Sequence, residues 1–224
     1  MVEPELGLFL ISDGMGGHMG GAIASKIVVE DLPVMIEVGL DGLRSESARA
    51  IRRLLARAIG AQNRQVRMEG NSESGCTGMG ATVALVLLRN RRAYVGNAGD
   101  SRVYRLRGGR LRQINRDHSV VAELLEQGHI DPEEADIHHA RGQITQYLGM
   151  DERAEPHLRS FVLRNADRLL LCSDGLTDML SDQAIARILR KQQDTQSACR
   201  TLIDAANAAG GHDNVTVVVV DWTP

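Results

Sequence analysis

Four aspartates stand where strand-like apolar runs begin or end. Asp13 follows Leu6 to Ser12 and precedes Gly14. Asp100 follows Val95-Gly96-Asn97 and precedes Ser101. Asp174 follows Leu169 to Ser173 and precedes Gly175, and Asp213 opens the run through Asn214 to Trp222. A carboxylate at the end of a buried strand is partly desolvated, and like charges beside it make ionisation costlier still. Four such groups converging at one end of a sheet packing require a cation. Oxygen-only ligands favour a hard ion, Mg2+ or Mn2+, over zinc. A glycine after Asp13 and after Asp174 lets a backbone carbonyl approach that ion. Taken singly, an Asp-Gly pair is an ordinary turn. The case for a site rests on the repetition.

The elements that must carry these aspartates are legible from periodicity. Leu6 to Ser12, Ala81 to Leu88, Arg92 to Asn97, Phe161 to Leu163, Arg168 to Ser173 and Asn214 to Trp222 read as strands. Ser101 to Arg107 and Arg110 to Ile114 flank Gly108-Gly109, a two-residue hairpin turn. Ala81 to Leu88 is almost wholly apolar, as expected of a strand covered on both faces. After the glycine-rich stretch from Gly14 to Gly21, a helical pattern runs from Ala22 until Pro33 interrupts it. A second helix runs from about Ser47 to Met68, with Ile51, Leu54, Leu55, Ala58 and Ile59 on one face and arginines on the other. Asp117 to Gly128 reads as a short helix, and Asp131-Pro132 as the start of another. Two more helices cover Leu180 to Leu189 and Thr195 to Ala209. We read one domain of two sheets with helices outside.

Composition agrees. The chain has 224 residues, enough for one self-sufficient core without disulfides. The net charge of −3 lacks the basic balance of a nucleic-acid binder. Apolar runs such as Val215 to Val220, with Thr216 inside it, are far too short to span a membrane. No signal peptide is visible, and three cysteines without a CxxC pair fit a reduced, cytoplasmic protein. The glycine stretch fails the dinucleotide fingerprint, because Met19 stands at the third glycine position, and no GxxxxGK[ST] occurs.

Five segments occur in a recognisable order: Asp13-Gly14-Met15-Gly16-Gly17-His18, Gly99-Asp100-Ser101-Arg102, Arg116-Asp117-His118-Ser119, Cys172-Ser173-Asp174-Gly175-Leu176 and Gly211-His212-Asp213-Asn214-Val215-Thr216. In these the chain resembles the metal-dependent protein phosphatases, the type 2C serine/threonine class in its compact bacterial form. The resemblance implies an α+β fold, a four-layer α-β-β-α sandwich of two mostly antiparallel sheets flanked by helices. It implies two ions, with a third in bacterial members, and Mn2+ or Mg2+ as cofactor. Matched by position, Asp13, Asp174 and Asp213 hold the first metal. Asp13 bridges to the second, whose shell includes the carbonyl of Gly14, and Asp100 with Asp174 holds the third. The segment 120–148 is similar to the flap that tunes substrate choice, which makes Val120, His138 and His139 substrate-binding candidates.

The implied reaction is hydrolysis of phosphoserine or phosphothreonine by a hydroxide bridging two cations about 3.5–4 Å apart. The implied partners are phosphorylated proteins and a cognate serine/threonine kinase, with no nucleic acid or membrane and a monomeric state. His18 reads either as a general acid toward the leaving oxygen or as a residue that polarises the loop and caps the following helix. His138 and His139 are adjacent, so they read as solvated flap residues rather than metal ligands. Cys76 and Cys172 read as packing residues. The family also carries an arginine and an Asn-(Glu/Gln)-Asp motif on an earlier strand, absent from the twelve residues before Asp13. The expectation is a truncated start, a weakened second metal and an exposed edge beside Leu6 to Ser12. The alternative is a pseudophosphatase that binds phosphoproteins or a kinase without turnover. A regulatory phosphatase acting on an anti-sigma-type partner is a further possibility within the first class.

Overall fold

The computed structural model describes residues 1–16, 18–72 and 76–223, apart from the side chains of His18 and Asp136. In chain order the strands are β1 (Val2–Glu3), β2 (Leu8–Ile11), β3 (Gly14–Met15), β4 (Gly80–Ala81), β5 (Val83–Arg89), β6 (Arg92–Ala98), β7 (Arg102–Arg107), β8 (Arg110–Gln113), β9 (His157–Val162), β10 (Asp167–Cys172) and β11 (Val217–Trp222). The helices are α1 (His18–Asp41), α2 (Ala48–Ser72), α3 (Val120–Glu126), α4 (Pro132–Ile137), α5 (Asp174–Thr177), α6 (Asp182–Lys191) and α7 (Thr195–Ala208).

Two antiparallel sheets face each other. One has the order β1-β2-β5-β6-β9, the other β11-β10-β7-β8, and β3 pairs with β4 in a small ribbon. Side-chain alternation builds the layers. Along β5, Val83, Leu85 and Leu87 point to α1 and α2, while Ala84 and Val86 point to the opposite sheet. Along β10, Leu169 and Leu171 enter that inter-sheet layer, while Leu170 and Cys172 pack under α5, α6 and α7. Three apolar layers therefore separate four layers of structure, the α-β-β-α sandwich expected. A strand buried on both faces has no polar side to show, which is why these runs are continuously apolar.

Local chemistry sets the helix ends. Asp131 accepts from the backbone N–H of Glu133 and Glu134, and the Glu134 carboxylate returns to the Asp131 N–H, a reciprocal cap with Pro132 just inside. Ser181 caps α6, and Asp194 caps α7.

The expected break at Pro33 does not occur. The helix runs through it to Asp41. Val28, Leu32, Ile36 and Leu40 are buried on both sides of the proline. Their burial outweighs the roughly 3 kcal/mol that an interior proline costs a helix. The final strand begins at Val217, so Asp213 stands in the preceding loop rather than opening the strand. No helix among the described residues is long and apolar enough to cross a membrane.

Candidate active site

One end of the sandwich holds a cavity of about 620 Å3 whose lining includes Asp13, Asp100, Asp174 and Asp213. Two clasps bring the four together.

The first clasp is Thr82, between β4 and β5. Its N–H donates to the Asp13 carbonyl at 2.8 Å, and its hydroxyl accepts from the Asp13 N–H at 3.0 Å. Ser12 donates its hydroxyl to the Thr82 carbonyl at 2.7 Å. The same Thr82 hydroxyl bonds the Ser101 hydroxyl at 2.8 Å, which fixes the turn carrying Asp100. Beside Asp13, the backbone of Gly14 lies against α1. A Cβ on Gly14 would sit 2.0 Å from the carbonyl oxygen of Gly21, so only glycine fits.

The second clasp joins Asp174 to Asp213. Ser173 accepts from the N–H of Thr216 at 3.1 Å, and its own N–H donates to the Thr216 carbonyl at 3.0 Å. Its hydroxyl also donates to the Asn214 carbonyl at 3.3 Å. A Cβ on Gly175 would lie 2.2 Å from that carbonyl oxygen. Glycine at 175 thus permits the close approach of the two loops.

The carboxylates pay electrostatically for this convergence. Burial pushes Asp174 up to about 7, helped by the charges of Asp100, Asp13, Asp178 and Asp213. Asp100 is pushed up to about 6 by burial, with Asp117 and Asp13 adding to the shift and Arg102 opposing it. Asp13 is raised by burial and by Asp213, against the Gly14 N–H and the Asp174 carboxyl. The Asp174 Oδ1 atom is buried with no hydrogen-bond partner. Orphaned buried oxygens are rare because they cost about 1–3 kcal/mol.

These observations test the set against a hard cation. The donors are all oxygen, their charges repel, and one buried oxygen lacks a partner; a divalent ion answers all three. Among the described residues no Lys or Arg lines the cavity, so charge neutralisation there falls to bound cations. No three His, Cys, Asp or Glu side chains among the described residues are gathered into a ready-made ion shell. The carboxylates share a cavity instead.

The flap candidates are placed differently. Val120 opens α3, and its N–H bonds the Gln143 carbonyl at 3.0 Å. The rings of His138 and His139 lie 4.3 Å apart, and His138 Nδ1 accepts from the Ala140 N–H. None of the three lines the cavity; Gly142 and Ile144 of the same segment do. Arg141, next to Gly142, pairs with Asp178 at 2.9 Å and ties this segment to the Asp174 side. The side chain of His18 lies outside the described residues. Cys76 and Cys172 are buried, and burial pushes the Cys172 thiol up to about 12, which leaves it inert at neutral pH.

Sequence reasoning missed Thr82, Ser101, Gly142 and Ile144. Thr82 left a signal: it is the one hydroxyl in the apolar run Ala81 to Leu88.

Comparison with known proteins gives the chain a family. The family model described as protein phosphatase 2C matches residues 2–209. The chain is 36% identical over 214 residues to protein phosphatase PhpP of Streptococcus pneumoniae, covering 95% of this chain and 85% of that one. It is 40% identical over 216 residues to serine/threonine protein phosphatase PstP of Mycobacterium tuberculosis, covering 96% of this chain and 40% of that one. Among solved structures it superposes on the S. agalactiae serine/threonine phosphatase with a TM-score of 0.84, at 36% identity over 95% of this chain and 86% of that one. The catalytic domain of PstP in complex with two manganese ions gives a TM-score of 0.77, at 37% identity over 96% and 86% of the two chains.

Proposed function

The chain belongs to the protein phosphatase 2C family of serine/threonine phosphatases, and we propose that it hydrolyses phosphoserine and phosphothreonine in proteins using Mn2+ or Mg2+. The observation that carries this reading is the gathering of Asp13, Asp100, Asp174 and Asp213 in one cavity, with Asp174 Oδ1 buried and partnerless.

Asp13, Asp174 and Asp213 would hold one ion. Asp13 and the Gly14 carbonyl would hold a second, and Asp100 with Asp174 a third. When bound, such ions neutralise phosphate charge and lower the pKa of the attacking water. The chain's own contribution is positional. Thr82 and Ser173 fix the backbone on either side of the carboxylates, so little reorganisation is left for the reaction. Gly142 and Ile144 border the cavity where a phosphorylated side chain would enter. No cysteine intermediate is involved. The physiological setting we propose is the cytoplasm, opposite a serine/threonine kinase.

The pseudophosphatase alternative finds no support. All four aspartates line the cavity, and the relatives compared above are named as phosphatases. The test is hydrolysis of a phosphothreonine peptide with Mn2+, then with EDTA. Turnover should require the ion. Turnover that survives metal removal, or that persists in Asp174→Ala, would sink the reading.

A further inference from the structure

The side edge of the sandwich carries arginines that the hydrolytic site does not use. Here β8 and β9 are the last strands of their sheets. On the β7–β8 hairpin, Arg105 stands directly opposite Arg112, and Arg107 opposite Arg110. Like charges in directly opposed cross-strand positions destabilise a hairpin, so two such pairs are a standing cost. Arg105 lies over the ring of Phe161 on β9, with its guanidinium carbon 5.0 Å from the centroid. Arg107 reaches the carbonyl of Val162 at 2.8 Å. The two edges are therefore in contact through arginine.

Among the described residues, Asp167 is the acid that moderates Arg105 and Arg107. Asp167 is fully buried and takes both its short bonds from Arg107. Among the described residues, Arg105, Arg112, Arg159 and Arg164 have no ion-pair partner. The Arg105 Nε is buried without an acceptor. Burial, then Arg107, holds the Arg105 guanidinium below its ordinary value; Arg112 and Arg164 act the same way and Asp167 opposes them.

The cations continue toward the active site. On β9, Arg159 and His157 occupy the same face as Phe161. His157 feels the charges of Arg159 and Arg116, and its Nδ1 is buried without a partner. His118 feels His157 and Arg116 in turn. Its Nδ1 accepts from the N–H of Gly99, the residue before Asp100. The strand portion alone, from His157 to Val162, spans about 17 Å, or about five residue steps.

We propose that this edge is a docking track for an acidic, extended segment of the phosphoprotein substrate, gripped by Arg105, Arg112, Arg159 and Arg164 and led past His157 toward Asp100. The proposal rests on the phosphatase reading for the identity of the ligand. Charge complementarity selects an acidic ligand, because guanidiniums without an ion-pair partner supply donors suited to carboxylates; Arg159 Nε donates to His157 Nε2 at 3.4 Å, which leaves its terminal nitrogens to a ligand. Polypeptide is favoured over nucleic acid by the setting of Phe161. The Phe161 ring is half-buried beneath Arg105, so it offers no open face for stacking bases.

The experiment has two arms. The first measures the KM for two phosphoserine peptides, one with a glutamate block about six residues from the phosphoserine, on either side, and one with glutamines there. The glutamate peptide should show a KM about 10-fold lower at low salt. That is about 1.4 kcal/mol, the sum of three or four exposed ion pairs. Arg112→Glu and Arg159→Glu should bring the KM ratio close to one, whereas Arg112→Lys preserves it. Arg112→Glu places opposite charges across the hairpin at Arg105, so the fold tolerates it. Arg53→Glu, an equal charge reversal on exposed α2, should leave the ratio intact. A ratio unmoved by the two edge reversals, or moved as much by Arg53→Glu, overturns the proposal. The second arm measures fluorescence anisotropy of a labelled, unphosphorylated oligoglutamate peptide in EDTA. It reads the track even if the chain hydrolyses nothing. Binding lost in Arg112→Glu supports the track. No binding to the unaltered chain, or tighter binding of a single-stranded oligonucleotide, overturns it.

Discussion

The hydroxyls of Thr82 and Ser101 lie 2.8 Å apart in the interior, and through them the turns bearing Asp13 and Asp100 share one anchor. Thr82→Val keeps the shape and removes the hydroxyl. The Asp13 N–H and the Ser101 hydroxyl then lose a buried partner, at a cost of about 1–3 kcal/mol. Urea unfolding should register that loss, and turnover should fall with it. Thr82→Ser, which keeps the hydroxyl, should restore much of both.

Asp174→Asn tests the carboxylate cluster in opposite directions. Turnover should fall by more than the ~10–100-fold typical of losing a partner outside the ligand shell. In EDTA the variant should melt higher than the unaltered chain, because a buried carboxyl beside Asp100, Asp13, Asp178 and Asp213 has become a neutral amide. About 1 kcal/mol of relief corresponds to a rise of about 2–4 °C at this size. Calorimetry without metal measures it; a lower melting point in EDTA would show that the carboxylates do not repel as described.

Gly175→Ala inserts a methyl group where the Asn214 carbonyl already stands, 2.2 Å from the new atom. The loops carrying Asp174 and Asp213 must separate. Overpacking of this kind costs about 1–3 kcal/mol. Mn2+ titration should show weakened affinity even under conditions where circular dichroism reports an intact fold.

Asp167 gives the pH dependence away from the active site. Burial opposes its ionisation, but the Arg107 pair and the Arg164 N–H outweigh burial and hold the carboxyl below its usual range. A depressed folded value means the stabilisation is present above the unfolded value of about 3.9 and is lost as pH falls through the folded one. Asp167→Asn should therefore cost about 1–3 kcal/mol at pH 7. The gap between the two proteins should narrow in strong acid, which urea unfolding at neutral and acidic pH would reveal.

Much of this molecule could be read before folding it. The apolar runs at β5, β6 and β10 are continuous because both faces are covered, and that pattern survives without knowledge of neighbours. The aspartates were legible because Asp13, Asp100 and Asp174 follow closely on strand ends, whereas Asp213 stands in the loop before β11. Less legible was β9: the stretch His157 to Ser160 is half-exposed on an edge strand, so its polar residues hide the alternation. Pro33 misled because local propensity argued for a stop while burial of Leu32 and Ile36, a tertiary effect, kept the helix going. Thr82 could be seen as an interruption, but its three backbone and side-chain partners come from segments 19 to 70 residues away. The convergence of His118 with Gly99, and of Arg105 with Phe161, is likewise a product of the sheet packing.

The two clasps belong to opposite walls of the sandwich: Thr82 lies in the turn leading into β5, and Ser173 follows β10. Between those walls lie Val86, Val95, Leu169 and Leu171. This layer acts as the spacer of a caliper. Trimming or enlarging a side chain there would alter the gap across which the jaws face each other, with no ligand touched. Tolerance for one ion radius over another can thus be set by aliphatic volume well behind the site, and variants that change metal preference need not map to any residue that meets the metal.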